Sequence, residues 1–160
     1  MIVLDVNVLL AAFRADHVHH PIVRPWFERT LAHNVDVVVP DFVWVGFLRL
    51  VTNTHIFEVP STLAEALAFM DAVAAAPSYR SVPGLPNGLG VFAETCIAGE
   101  ACGNLVPDAY IASVARALAS PVATLDRDFR RFDDLRFVVP RLDDEIDGGA
   151  IGGDNGPGAH

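Results

Sequence analysis

The chain has 160 residues, of which 52% are hydrophobic and 19% charged, a balance that fits one globular domain and excludes a disordered polyampholyte. Its formal charge is −9, which excludes a strongly basic nucleic-acid or lipid-surface binder. No apolar run approaches the ~20 residues needed to span a bilayer, and the first residues hold an acid at position 5 with no basic stretch before it. No membrane association and no signal peptide are expected, and the expected location is cytoplasmic.

In chain order, "IVL" (2–4) predicts a buried strand and "NVLLAAF" (7–13) the helix that follows it. "HPIVRPWFERTLA" (20–32) predicts a second helix with Trp26 and Phe27 inward, Glu28 and Arg29 outward, and Pro25 at its start or first turn. "DVVVP" (36–40) predicts a strand closed by proline, and the length of "FVWVGFLRLVTN" (42–53) favours a helix. "STLAEALAFMDAVAAA" (61–76) predicts a helix capped by Ser61. "PSYRSVPGLPNGLG" (77–90) reads as the longest loop, followed by a helix near 91–99. Pro107 is expected to open the helix "PDAYIASVARALA" (107–119), and "PVATL" (121–125) and "RFVV" (136–139) read as the last strands. Such alternation predicts an α/β domain over residues 1–142: a parallel sheet with helices on both faces, joined by right-handed crossovers. Residues 143–160 hold five acids and six of the twelve glycines, and are expected to form a mobile acidic tail.

Asp5 sits at the end of an apolar strand, where a carboxylate must be desolvated or matched. No cation stands beside it in the sequence. Asp126 ends the "VATL" strand, and in a parallel sheet both strand ends lie on one edge, about 4.8 Å apart if the strands are neighbours. Asp108 begins the helix leading back to that strand, and Asn7 begins the helix after the first one, so both belong to the same carboxyl edge, where open α/β proteins bind ligands. Clustered carboxylates need a shared proton or a cation. All-oxygen donors select Mg2+ or Mn2+ over zinc. The plainer readings are a helix-start acid at 108 and turn acids at 126 and 128. Asp128 stays open between the two.

Other candidates are weaker. Cys96 and Cys102 lack zinc spacing, and the "HVHH" run (His17–His20) has no matching ligand set. "GLPNGLG" follows no strand, so it is no phosphate loop, and no G-x-S-x-G occurs.

"MIVLDVNVLLAAF", "VPDFVWVGFLRLVTN", "GNLVPDAYIASVARA" and "ATLDRDFRRFDDLRFVVP", in this order and spacing, resemble a PIN domain, closest to the VapC ribonuclease toxins of bacterial toxin–antitoxin pairs. The resemblance implies a PIN-like three-layer fold with a four- or five-stranded parallel sheet, and Mg2+- or Mn2+-dependent hydrolysis of RNA leaving 5′-phosphate and 3′-hydroxyl ends. It places the catalytic and metal-binding acids on Asp5, Asp108 and Asp126, with Asp128 as a further acid and Asn7 and Thr124 in support. It also implies a VapB-like antitoxin and a homodimer. Arg14, Arg127, Arg130 and Arg131 lie near the edge in sequence and are candidates for substrate phosphates, or equally a solvated surface. One position departs: Gly46 stands where the family usually has Glu. Asp41 is no evident replacement, and Glu58 or Glu94 would have to reach in from elsewhere. The alternatives are a binding module whose chemistry has lapsed at Gly46, and an Asp-dependent phosphatase. The latter is disfavoured because such enzymes use a lysine clamp and all eleven cations here are Arg.

Overall fold

The computed structural model describes residues 1–33 and 35–142; the acidic tail expected from Asp143 onward lies outside these residues. Five strands form one parallel sheet: β1 (Ile2–Leu4), β2 (Val37–Val38), β3 (Tyr79–Arg80), β4 (Val122–Ala123) and β5 (Phe137–Val138), in the order β3-β2-β1-β4-β5. The central strands are wholly buried, and branched side chains suit a sheet covered on both faces. Six helices connect them: α1 (Val6–Phe13), α2 (His20–Ala32), α3 (Asp41–Val51), α4 (Leu63–Ala74), α5 (Gly88–Ala98) and α6 (Leu105–Ala117). The chain steps from β1 through β2 to β3 in one direction and returns from β3 to β4 in the other. Right-handed crossovers therefore put α1–α4 on one face and α5–α6 on the opposite one. This is the expected three-layer α/β arrangement.

The α1–α4 layer is fastened by aromatic rings. Phe69 of α4 meets Phe13, Phe27, Trp44 and Phe47 at centroid separations between 5.1 and 6.5 Å, contacts that join four helices. Trp26 and Phe27 are buried as expected, and Glu28 is exposed.

Several boundaries differ from the sequence expectation, each for a local reason. β3 falls inside the stretch read as a loop; two residues carry no periodicity, and the strand exists because β2 offers an unpaired edge, where the Val37 N–H donates to the Ser78 carbonyl (2.8 Å). Pro21 occupies the first turn of α2, while Pro25 lies inside the helix and forfeits one backbone bond. The cap of α4 is Thr62, not Ser61: Thr62 Oγ1 accepts from the Glu65 N–H (3.2 Å), and the Glu65 carboxylate accepts from the Thr62 N–H (2.8 Å). Ser61 is occupied elsewhere, its hydroxyl accepting from Arg14 (3.0 Å). Pro107 is the third residue of α6, still among the first N–H positions that have no helical acceptor. The α5 helix starts at Gly88 rather than near 91. It ends in a left-handed turn at Glu100 (φ 48°), where the Ala101 N–H returns to the Cys96 carbonyl (2.8 Å).

Two glycines make opposite predictions. A Cβ on Gly99 would stand 2.4 Å from the buried Phe132 ring, so Gly99→Ala should lose about 1–3 kcal/mol in urea unfolding. A Cβ on Gly46 would meet only Val6 Cγ2, at 3.6 Å, so Gly46→Ala should gain up to about 1 kcal/mol through helix propensity in the same measurement.

Candidate active site

The sheet's carboxyl edge is organised around Asp5, which is 2% exposed. Its backbone N–H donates to the Ala123 carbonyl (3.0 Å), fixing it at the tip of β1. Its side chain caps α1: Oδ1 accepts from the Val6 N–H (2.6 Å), while Oδ2 accepts from Asn7 Nδ2 (2.6 Å) and from the Thr124 hydroxyl (2.7 Å). Asn7 and Thr124 bond to each other as well (3.1 Å), and Asn7 Oδ1 accepts from the Leu125 N–H (3.0 Å). The two polar residues singled out in the sequence thus join β1 to the segment after β4. Even so, burial dominates and raises the Asp5 pKa to about 6, helped by the charge of Asp126 and opposed by the bonds from Thr124, Val6 and Asn7.

Register decides where Asp126 stands. Leu4 pairs with Ala123, so Asp5 lies opposite Thr124, and β4 ends before Asp126. The acid expected to end that strand overhangs the edge by two residues, on the order of 7 Å further along an extended chain. The Asp126 N–H donates to Thr124 Oγ1 (2.9 Å), and Asp126 Oδ1 accepts from the Asp128 N–H (2.9 Å), opening a 3-10 turn at Arg127–Arg131. Asp108, half-buried in the first turn of α6, is pushed to a pKa of about 7 by burial and then by the charges of Asp5, Asp126 and Asp128. Four acids from three segments therefore share one electrostatic neighbourhood, with Asp128 on its exposed side.

Sharing a field is not the same as forming a cage. Among the described residues, no three His, Cys, Asp or Glu side chains are set to hold a metal ion. Oxygens of Asp5 and Asp126 are instead taken up by nearby N–H and O–H donors. The donor set nonetheless fits a hard divalent cation, because every candidate ligand is oxygen and only acids raise the pKa of Asp108 electrostatically.

Other sequence candidates go elsewhere. Arg14 caps the C-terminus of α1, about 13 Å along the helix from Asp5. It is bonded to Asp16, the Val59 carbonyl and Ser61, and lies 4.2 Å from the centre of the Phe57 ring, so it straps the 57–61 segment to α1 rather than meeting a substrate. Glu58 and Glu94 are exposed and contribute to neither raised acid, and Asp41 acts on the Tyr110 hydroxyl instead. The His17 and His19 rings lie 5.7 Å apart, tilted by 44°, and His20 bonds the Ala11 carbonyl through Nδ1 (2.8 Å). Both cysteines are free thiols. Arg127, Arg130 and Arg131 remain exposed on the turn after Asp126, with Arg131 3.9 Å from Asp128. Gly46 faces Val6, next in sequence to Asp5, and a Cβ there would meet Val6 Cγ2 at ordinary contact distance (3.6 Å). The aromatic contact of Phe42 with Tyr110 (4.8 Å) was not expected from the sequence; two aromatics in separate motifs, one next to Asp41 and the other two residues after Asp108, were the available signal.

The two raised acids make a pH prediction. Both are weaker acids in the fold than in the open chain, so the folded protein holds extra protons between about pH 4 and 7 and loses stability as pH rises through that window. Asp108→Asn, which cannot ionise, should raise the melting temperature of the metal-free protein by roughly 2–4 °C at pH 8 and leave it nearly unchanged at pH 4.

With this geometry in place, comparison with known proteins is decisive. The PIN domain family model matches residues 2–135. Ribonuclease VapC31 and Ribonuclease VapC25 of Mycobacterium tuberculosis are 47% and 46% identical over 142 residues, which is 89% of this chain and 100% of each relative. Among solved structures, VapBC2 from Rickettsia felis, bound to a DNA fragment from their promoter, aligns with a TM-score of 0.65 at 17% identity, covering 86% of this chain and 98% of that one, which is a likeness of fold. The acids at the sheet edge are thus carried on a chain that belongs to the PIN-domain family, with VapC ribonucleases as its relatives.

Proposed function

We propose that this protein is a divalent-cation-dependent endoribonuclease and the toxin of a type II toxin–antitoxin pair. The observation that carries the reading is the convergence of Asp5, Asp126 and Asp128 on the charge state of Asp108, in a chain 47% identical to a ribonuclease. Asp5, Asp108 and Asp126 would hold Mg2+ or Mn2+, with Asp128 joining from the rim. When bound, that ion supplies neutralising charge for the scissile phosphate and a more acidic water. Asp108 gives up the proton it holds near neutrality before its carboxylate can serve as a ligand. Asn7 and Thr124 keep Asp5 Oδ2 in place. Arg127, Arg130 and Arg131 offer cations to the flanking phosphates, which offsets locally the repulsion between an acidic protein and RNA.

A VapB-like antitoxin as partner follows from the same kinship. A homodimer is supported by α5, whose Leu89 and Ile97 are 75% and 78% exposed. Among the described residues no helix is long and apolar enough to cross a membrane. The absence of lysine leaves a phosphoaspartate-type phosphatase without its usual clamp.

Gly46 favours a second reading, a binding module with impaired chemistry. A labelled RNA incubated with increasing Mg2+ or Mn2+ separates the two. Cleavage should appear with the metal, stop with chelator, and fall at least about 100-fold in Asp5→Asn and Asp108→Asn. Retention of RNA without cleavage at any metal concentration would establish the binder instead. Gly46→Glu adds a carboxylate where a Cβ has ordinary contact distance, so it should lower the Mg2+ concentration for half-maximal cleavage.

A further inference from the structure

The carboxyl edge carries an aromatic feature beside its acids. Phe42 is the second residue of α3, which starts just after β2 leaves the sheet at that edge. Tyr110 is the sixth residue of α6, whose N-terminal turn holds Asp108. Their rings meet at 4.8 Å with planes 37° apart, and Phe92 of α5 supports Tyr110 from another side at 5.8 Å. Phe42 is nevertheless 42% exposed. Four residues further along α3, on the same helical face, Gly46 packs toward α1, where a Cβ would meet Val6 Cγ2 at 3.6 Å, next in sequence to Asp5.

An exposed ring, backed by two others and set at the sheet edge that carries the acids of a phosphodiester-cleaving site, has an obvious class of occupant. Bases of single-stranded RNA that leave the helical stack are recognised by stacking on aromatic side chains. The contact tolerates any base, because every base has a π face. We infer that Phe42, braced by Tyr110, is a stacking ledge for one unpaired nucleobase of the RNA strand, next to the scissile phosphate. This rests on the ribonuclease reading above and adds to it a residue that holds one base of the strand.

The test uses the full chain and a short single-stranded RNA containing its cleavage site. Phe42→Leu keeps apolar bulk and removes the π face; Phe42→Trp keeps the face. KM should rise roughly 5- to 150-fold in the Leu variant, the equivalent of about 1–3 kcal/mol, with kcat retained and the Trp variant close to wild type. An abasic nucleotide at one position beside the cut should impose the same penalty on wild type and no further penalty on the Leu variant. Equal KM values for wild type and the Leu variant overturn the ledge while leaving the nuclease intact. So does a Leu variant whose only change is its oligomeric state in sedimentation. Absence of cleavage by wild type would count against the nuclease reading, and the ledge is then judged by fluorescence anisotropy of the same RNA in chelator: equal affinity of the two proteins overturns it, and weaker binding by the Leu variant upholds it.

Discussion

Everything at the sheet edge depends on one buried carboxylate. Asp5 gives up its hydration at the tip of β1 and recovers three hydrogen bonds, from the Val6 N–H, Asn7 and Thr124. These bonds start a helix, fasten β1 to the segment after β4, and fix the direction in which the acid faces. They do not fully repay desolvation, because the carboxyl still titrates near 6. The fold holds a destabilised group in place, and residual free energy of that kind is what a site needs to favour a cation.

The sheet supplies the rest by topology. Because all five strands are parallel, every strand end, the start of α1, the start of α3 and the start of α6 arrive at one edge. Strands of two or three residues keep that edge close to the core, so short loops suffice to bring Asp108 and Asp126 within electrostatic range of Asp5. Arg14 does the opposite work at the far end of α1, where its ties to Val59 and Ser61 hold the connection between α3 and α4. One arginine is structural by place, while Arg127, Arg130 and Arg131 stay open to solvent.

The class of fold and the acids of the edge were legible because each rests on a local rule. A strand-terminal acid after "IVL", an acid in the first turn of an alanine-rich helix and an acid after "VATL" keep their meaning without neighbours. What was hidden depends on partners distant in sequence. β3 exists through an edge that β2 offers, and Tyr79–Arg80 carries no sign of it. Thr62 rather than Ser61 caps α4 because Arg14, 47 residues away from Ser61, claims the latter's hydroxyl. The two-residue overhang of Asp126 is a matter of register, which spacing along one strand cannot fix. Phe42 and Tyr110 come from helices on opposite faces of the sheet and meet only once both reach its rim.

The bonds around Asp5 have a directional consequence. Oδ2 already receives two hydrogens, one from an amide and one from a hydroxyl, so both of its lone pairs are taken. Thr124 cannot turn its proton elsewhere, since its oxygen is itself occupied by the Asp126 N–H and Asn7. Oδ1 has one hydrogen from Val6 and a single lone pair to spare. The spare acceptor capacity of this acid is therefore one-sided, resting on Oδ1, while Oδ2 is committed to the scaffold that positions it.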